Sequence, residues 1–550
     1  MMFRFLTILF FFVVVTVHAQ LNRGGVPCSF NHHRGQLPTV DLVVTPPDME
    51  ALAAEDLIHP VPYRFAVNLP VNRMISPQLA VGSEQLADDS IWLFTIHAPG
   101  AKAITVYFDR FYIPPGGRLF VYNSEKTILL GAFTDLNNHS SGRFSTALIA
   151  GDQVTLEYNQ PVETSGIPDL HIAEIAYAYR GVSDLSDKTG FGSSGPCEVN
   201  IPCAEADPWQ NQQKGIARVA VKKNGATYWC SGSLMNNTRQ DKTPYFLSAD
   251  HCSKGAKPSD YSQWIFYFNY NSPTCEDPPV EPGFRTMVGT EVKSAAGDVN
   301  FKGSDFLLLL LNQMIPDTFD VWFNGWNRED IASPFGVGIH HPMGDIKKIS
   351  TYAEPLISTN WNGHTETTHW QVTWSATPNG HGVTEGGSSG SPIFDADGRV
   401  AGTLTGGEAL CDSALLNSPD FYGKFSYSWD MNGPDNTQRL SYWLDPDSTG
   451  VMVLDGIALT IEEPEMISSE LQMYPNPASG ILNLKSTHLK EQTGIHINIL
   501  DSWGRMVASF TQASDRSGHL SIDISSLPNG FYLITLATEE LSLTGRIIKL

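Results

Sequence analysis

Six of the seven cysteines, Cys197, Cys203, Cys230, Cys252, Cys275 and Cys411, fall in the middle of a 550-residue chain, and Cys28 stands alone near its start. Cysteines gathered in one region point to a unit cross-linked in an oxidising compartment. Six cysteines allow fifteen pairings, and spacing alone selects none of them. None forms the CxxC pair of a zinc site, so they are read as structural disulfides, with no metal and no cofactor called for. The N terminus agrees about the compartment. Arg4 precedes an apolar run from Phe5 to Val17, and Ala19 offers a small residue for cleavage. That run is too short to span a hydrocarbon core of about 30 Å comfortably. Residues 1–20 are therefore read as a secretory signal peptide, leaving a secreted protein with no transmembrane segment after signal removal.

Lys and Arg total 35 against 58 Asp and Glu, a net charge of −23. A nucleic-acid binder normally carries a basic patch, so no nucleic-acid partner is expected. Cationic substrates or surfaces would be attracted instead. With 47 Gly, 35 Pro and 11% aromatics the composition suits a turn-rich, mainly β protein. Punctuation divides it. Residues 21–188 hold alternating runs such as Ile104–Phe108 and Arg118–Tyr122, separated by a Pro-Pro-Gly-Gly turn at 114–117. They read as a β-sandwich without obvious chemistry. The cysteine-bearing unit occupies 189–456, an acidic linker 457–470, and a second small β-sandwich 471–550, whose Ile495–Ile499 run alternates cleanly.

Three elements of the central unit carry chemistry together. Gly387-Ser388-Ser389-Gly390-Ser391-Pro392 supplies a serine flanked by glycines, which permit the tight backbone that aims amides at one point. A serine hydroxyl needs a neighbouring base to become a nucleophile. Tyr245–Ala249 is an apolar strand delivering His251 beside Cys252, and Asp305 heads the apolar run Phe306–Leu311. Each alone is more often structural. Jointly, His251, Asp305 and Ser389 follow the chain order of chymotrypsin-like proteases, unlike that of subtilisins or α/β-hydrolases.

The segment from about Gly192 to Gly456 resembles the bacterial lysyl endopeptidases, a branch of the chymotrypsin-like serine proteases. The resemblance rests on Cys197-x5-Cys203, Cys230-Ser231-Gly232-Ser233-Leu234, Tyr245-Phe246-Leu247 with His251-Cys252, Ile339-His340-His341-Pro342, Val383-Thr384-Glu385 with Gly387–Pro392, and Trp443-Leu444-Asp445-Pro446. It implies a double β-barrel in which Ser389 is nucleophile, His251 general base and acid, and Asp305 the orienting carboxylate. The amides of Gly387 and Ser389 would form the oxyanion hole. The family's pairing implies Cys197–Cys411, Cys203–Cys275 and Cys230–Cys252.

In trypsin-like pockets the charged selector lies six residues before the serine, here Val383, which is uncharged. The family instead places an Asp well after the nucleophile, matching Asp420, which would pair with a substrate Lys; an exposed Pro419-Asp420 turn is the bland alternative. Trp361 matches a family Trp near that subsite. The family's partner His falls on Thr405, a departure that leaves Arg open beside Lys. His340 and His341 suggest a metal pair, but neighbours on a strand face opposite ways and are read as structural. Cleavage after Lys188 is expected to remove 21–188 as an inhibitory or folding-assisting propeptide.

The last unit resembles the C-terminal sorting domains of type IX secretion cargo, on Met473-Tyr474-Pro475-Asn476-Pro477-Ala478, Leu527-Pro528-Asn529-Gly530-Phe531-Tyr532 and the terminal Arg546–Leu550. It implies an immunoglobulin-like sandwich, the type IX secretion machinery as partner, and an extracellular or surface-attached product. The expected function is a serine endopeptidase acting on proteins and peptides after Lys, with Arg left open. Two rivals remain at this point: an inactive surface adhesin on a protease scaffold, and a protease with a non-basic pocket.

Overall fold

The computed structural model describes residues 23–31, 39–58, 62–75, 84–86, 89–180, 192–296, 303–361, 367–459, 471–486, 489–490, 492–501, 506–537 and 542–550. The signal segment, Lys188 and most of the acidic linker lie outside the described residues. The chain divides into two compact units, residues 1–459 and 460–550.

The N-terminal part of the first unit is a β-sandwich. Val40–Val43, Asp89–His97, Gln153–Pro161, Arg118–Asn123 and Leu129–Phe133 form one sheet. Arg64–Ile75, Asp169–Ala178, Ala103–Tyr112 and Phe144–Ser145 belong to the other. Ile96, Ile104, Val106, Phe108, Leu119, Val121, Val154 and Leu156 fill the space between them. The turn at 114–117 carries the chain from one sheet to the other, so the two runs it separates face each other across the core.

The central part holds two barrels. In the first, Ile216–Lys223 pairs with Ala226–Met235, which pairs with Tyr245–Ala249, which pairs with Phe306–Leu311. Gly289, at φ +83°, joins Arg285–Val288 to Thr290–Ala295. One side of this bent segment pairs with Ile265–Phe268 and the other with Phe306–Leu311, and Ile265–Phe268 returns to Ile216–Lys223. The sheet closes on itself. In the second barrel the order runs Lys348–Tyr352, Gly336–His340, Pro392–Phe394, Val400–Gly407, Asp420–Lys424, His369–Val372. The Ser375 N–H donates to Thr351 C=O at 2.8 Å and brings the ends together. Ile216–Lys223 lacks a period of two because both its faces are covered: Ala217, Val219 and Val221 line the barrel, while Ala220 and Lys222 meet the N-terminal sandwich. Ile216–Lys223 is buried at every position. Three disulfides tie the region, Cys197–Cys411, Cys203–Cys275 and Cys230–Cys252, and Cys28 takes part in none.

The second unit is a sandwich of Gln472–Tyr474, Ile481–Lys485 and His519–Asp523 against Met506–Gln512, Ile495–Asp501, Gly530–Ala537 and Ser542–Lys549. Leu482, Leu484, Ile495, Ile497, Ile499, Ile522 and Ile534 make its core. Alternation does the work here, since Ile481–Lys485 buries only Leu482 and Leu484 fully.

Candidate active site

His251 sits in the single helical turn Asp250–Ser253 that follows Tyr245–Ala249. Asp305 precedes Phe306–Leu311, the strand paired with Tyr245–Ala249, so strand pairing alone brings the two together. The His251 Nδ1 lies 2.7 Å from Asp305 Oδ2, and the His251 backbone N–H donates to Oδ1 at 2.9 Å. An ionised carboxylate only accepts, so Nδ1 carries the proton and Nε2 keeps its lone pair. That Nε2 is buried without a hydrogen-bond partner. Asp305 has φ +56°, a left-handed conformation uncommon outside glycine, held because its C=O accepts from Asp250 N–H at 2.9 Å. Lys223 Nζ donates to the His251 carbonyl at 3.0 Å. Burial lowers this lysine to about 8, against the pull of Asp250 and Asp305.

From the second barrel the Ser389 loop packs on the turn that carries His251, without a hydrogen bond between His251 Nε2 and Ser389 Oγ. The Ser389 C=O accepts from Ser231 N–H at 2.8 Å, and Cys252 Sγ lies 3.9 Å from that oxygen. A Cβ on Gly390 would stand 2.6 Å from Ala249 N, so only glycine allows the loop to close on the strand carrying His251. Gly387 has φ +97°, and its carbonyl accepts from Ser231 Oγ at 2.9 Å. Neither Gly387 N–H nor Ser389 N–H is committed to a carbonyl among the described residues. Next to it, Ser350 Oγ donates to Val383 C=O, so it must accept from His340 Nε2. His340 Nδ1 then accepts from Ser388 Oγ at 2.8 Å. Burial drops His340 to about 3, keeping it neutral in that role. His341 turns elsewhere, its Nδ1 donating to Asp345 C=O at 2.9 Å. The two adjacent histidines serve different networks.

Asp420 is fully buried at the head of Asp420–Lys424, which rules out an exposed turn. Its Oδ2 accepts from Trp374 Nε1 at 2.7 Å and Thr384 Oγ1 at 2.6 Å, and Oδ1 from Ala409 N–H at 3.3 Å. Burial raises it to about 6 despite those donors. Thr384 belongs to the segment leading to Ser389, and Gly407 packs so closely that a Cβ there would meet Asp420 Oδ1. Trp361 lies over Gly406 and stacks on His369 with ring centroids 5.9 Å apart. His369 Nε2 and Thr405 Oγ1 are 3.0 Å apart. Thr405, where the family has a histidine, is instead the hydrogen-bond partner of His369 on another strand. Burial lowers His369 to about 4. Sequence reasoning missed His369, Trp374, Thr384 and Lys223 as members of the site. The one signal available was His369 itself, eight residues after Trp361.

Residues 191–423 match the family model described as lysyl endopeptidase, C-terminal domain, and residues 472–550 match that of the secretion system C-terminal sorting domain. A lysyl endopeptidase of Pseudomonas aeruginosa is 30% identical over 294 residues, covering 51% of this chain and 60% of the relative. The chain therefore spans about three fifths of that relative's length. Among solved structures, a thermostable serine protease from an extremophilic microorganism aligns at 15% identity and TM-score 0.28, covering 38% of this chain and 91% of its own. A Glu endopeptidase aligns at 16% and 0.27, covering 43% and 94%. A Bacteroides vulgatus protein with an immunoglobulin-like β-sandwich aligns at 22% and 0.12, covering 15% and 95%. Those scores are too low to bear on the fold, which rests on the strand pairings above. The match to the secretion system C-terminal sorting domain assigns the protein to the cell exterior or surface. The chain is similar to the lysyl endopeptidases over its double barrel and to the secretion system C-terminal sorting domain over residues 472–550.

Proposed function

We propose that the protein is a secreted serine endopeptidase cutting after Lys, with Arg also accepted. Ser389 Oγ attacks the scissile carbonyl while His251 Nε2 takes its proton. Asp305 holds the tautomer and stabilises the imidazolium, and the Gly387 and Ser389 amides receive the oxyanion. The imidazolium then protonates the leaving amine, and water, deprotonated by the same Nε2, releases the acid from the acyl-enzyme. The observation that carries this reading is the His251–Asp305 pair with its buried, unpartnered Nε2 on the turn against which the Ser389 loop packs.

Asp420 supports the basic preference. A carboxylate raised by burial, with three donors and no cation beside it among the described residues, gains most from a ligand that brings its own positive charge. Trp361 and His369 wall the same region. Residues 21–188 act as the propeptide, released by cleavage after Lys188, and residues 471–550 engage the type IX machinery. The test is hydrolysis of Lys, Arg and Phe esters by processed enzyme and by Ser389→Ala. Lys and Arg turnover that vanishes in Ser389→Ala is the expected result. Equal turnover of Phe ester, or activity that survives the substitution, contradicts the reading.

A further inference from the structure

The edge of Ala226–Met235 that faces the catalytic loop has three successive occupants. Residues 233–235 pair with Tyr245–Ala249. Ser231 N–H donates to Ser389 C=O at 2.8 Å. Residues 226–228 pair antiparallel with Arg64–Ile75 of the N-terminal sandwich, and Trp229 N–H donates to Tyr63 C=O at 2.9 Å. Only Cys230 lies between the residue that contacts Ser389 and the residue that contacts Tyr63, a step of about 7 Å at the usual rise.

The direction of the incoming segment matters. Because the pairing is antiparallel, residues 63 to 67 run away from Ser389 as they pass Trp229 towards Ala226. In a peptide under attack by Ser389, the residues that recede from the nucleophile in the N-to-C direction are those after the cleaved bond. Tyr63 and its followers therefore occupy the path of the leaving segment. Tyr63 also packs on Gly386, where a Cβ would stand 3.1 Å from the tyrosine Cβ, immediately before the proposed oxyanion residues. Phe65 stacks on Trp229 at 3.9 Å and 9°.

We infer that the 226–229 edge is the binding strand for substrate residues following the scissile bond, and that Tyr63–Val67 closes it in the precursor. Backbone pairing of this kind admits many sequences while fixing direction, which suits an endopeptidase. The closure is firmly anchored. Tyr63, Phe65, Ala66, Tyr107, Ala176 and Ala178 share an apolar cluster with Ala220, Trp229, Ile265 and Tyr267. Lys222 pairs with Glu174, and Gln263 Nε2 donates to Phe108 C=O at 2.9 Å. A cut at 188 breaks none of these contacts, so the edge opens only when the N-terminal sandwich departs or is degraded.

The inference rests on the protease reading, and the experiment separates the two. Full-length Lys188→Gln precursor and processed enzyme freed of residues 21–188 are compared on a small fluorophosphonate and on a quenched peptide with four residues after its Lys. The expected precursor reacts with fluorophosphonate at a rate within about threefold of processed enzyme but cleaves the extended peptide at least a hundredfold more slowly. Adding Phe65→Ala to the precursor should raise peptide cleavage at least tenfold. Amide exchange at 226–229 should be slow in the Lys188→Gln precursor and fast in processed enzyme, a readout that needs no activity. Precursor that cuts the extended peptide at the processed rate overturns the inference, as do equal exchange rates at 226–229 in the two forms. Precursor that resists fluorophosphonate while processed enzyme reacts also overturns it, since the nucleophile itself would be covered. Processed enzyme inert to both probes would sink the protease reading itself.

Discussion

The C-terminal sandwich and the catalytic barrels are both β-structure, yet they keep their information in different places. In the sandwich, Leu482, Leu484, Ile497 and Ile499 are buried while their neighbours are half-buried or exposed, and the core is aliphatic almost throughout. In the barrels, Ile216–Lys223 is buried at every position, and the interior holds Arg218, Lys347, His340, His369 and Asp420. Burying such groups costs several kcal/mol each unless they are bonded. Arg218 shows how that cost is met: it lies 4.2 Å from Trp229, 4.4 Å from Tyr267 and 4.0 Å from Tyr270 and donates to Gly344 C=O. One unit is specified by a repeating pattern. The other depends on individual polar contacts, and perturbing each should fail differently.

The largest effect is expected at the orienting carboxylate. Asp305→Asn keeps an oxygen for the His251 N–H but presents an amide N–H to Nδ1, forcing the proton to Nε2. Turnover of a Lys ester should fall about ten-thousandfold with a thermal midpoint close to wild type. A loss under tenfold would mean the tautomer does not matter. Next comes Asp420→Asn, which removes the charge opposite the substrate ammonium. The kcat/KM for Lys ester should drop roughly a hundredfold to a thousandfold, several kcal/mol by the usual conversion, with Phe ester nearly unchanged. Equal losses on both esters would make Asp420 structural.

In the sandwich the contrast should invert. Ile497→Ala should destabilise the 460–550 unit by about 2–5 kcal/mol, read as a lowered denaturation midpoint, while Lys-ester turnover stays at the wild-type rate. Lost turnover in that variant would break the division between the units. The smallest effect is a pH dependence. Asp420 titrates near 6 because burial raises it, so it is charged above that pH and neutral below, whereas a substrate lysine stays cationic throughout. The ratio of wild-type to Asp420→Asn kcat/KM on Lys ester should therefore shrink about tenfold between pH 7 and 5. Taking the ratio cancels every pH dependence that the two enzymes share. A ratio independent of pH would contradict a charged role.

What could be read in advance follows the same division. The Ile495–Ile499 alternation and its flanking turns locate a half-buried strand directly, because one face meets the core and the other meets water. His251, Asp305 and Ser389 are visible only as an order along the chain, and the strand pairing that unites the first two appears only in three dimensions. His369 was hidden because its position relative to Trp361 depends on how His369–Val372 lies beside Asp420–Lys424, a register that no local pattern encodes. The shared edge at 226–229 was hidden for the same reason. Val67 and Ala226 are far apart in sequence, and their pairing is a property of two surfaces rather than of either segment.

The central claim is that His251 activates the hydroxyl of Ser389 in one cleft. Processed enzyme treated with a serine-directed fluorophosphonate and digested for peptide mass spectrometry tests it most directly. The adduct should sit on Ser389 and form at least a thousandfold more slowly in His251→Ala. An adduct on another serine, or equal labelling of Ser389 in His251→Ala, would contradict the account.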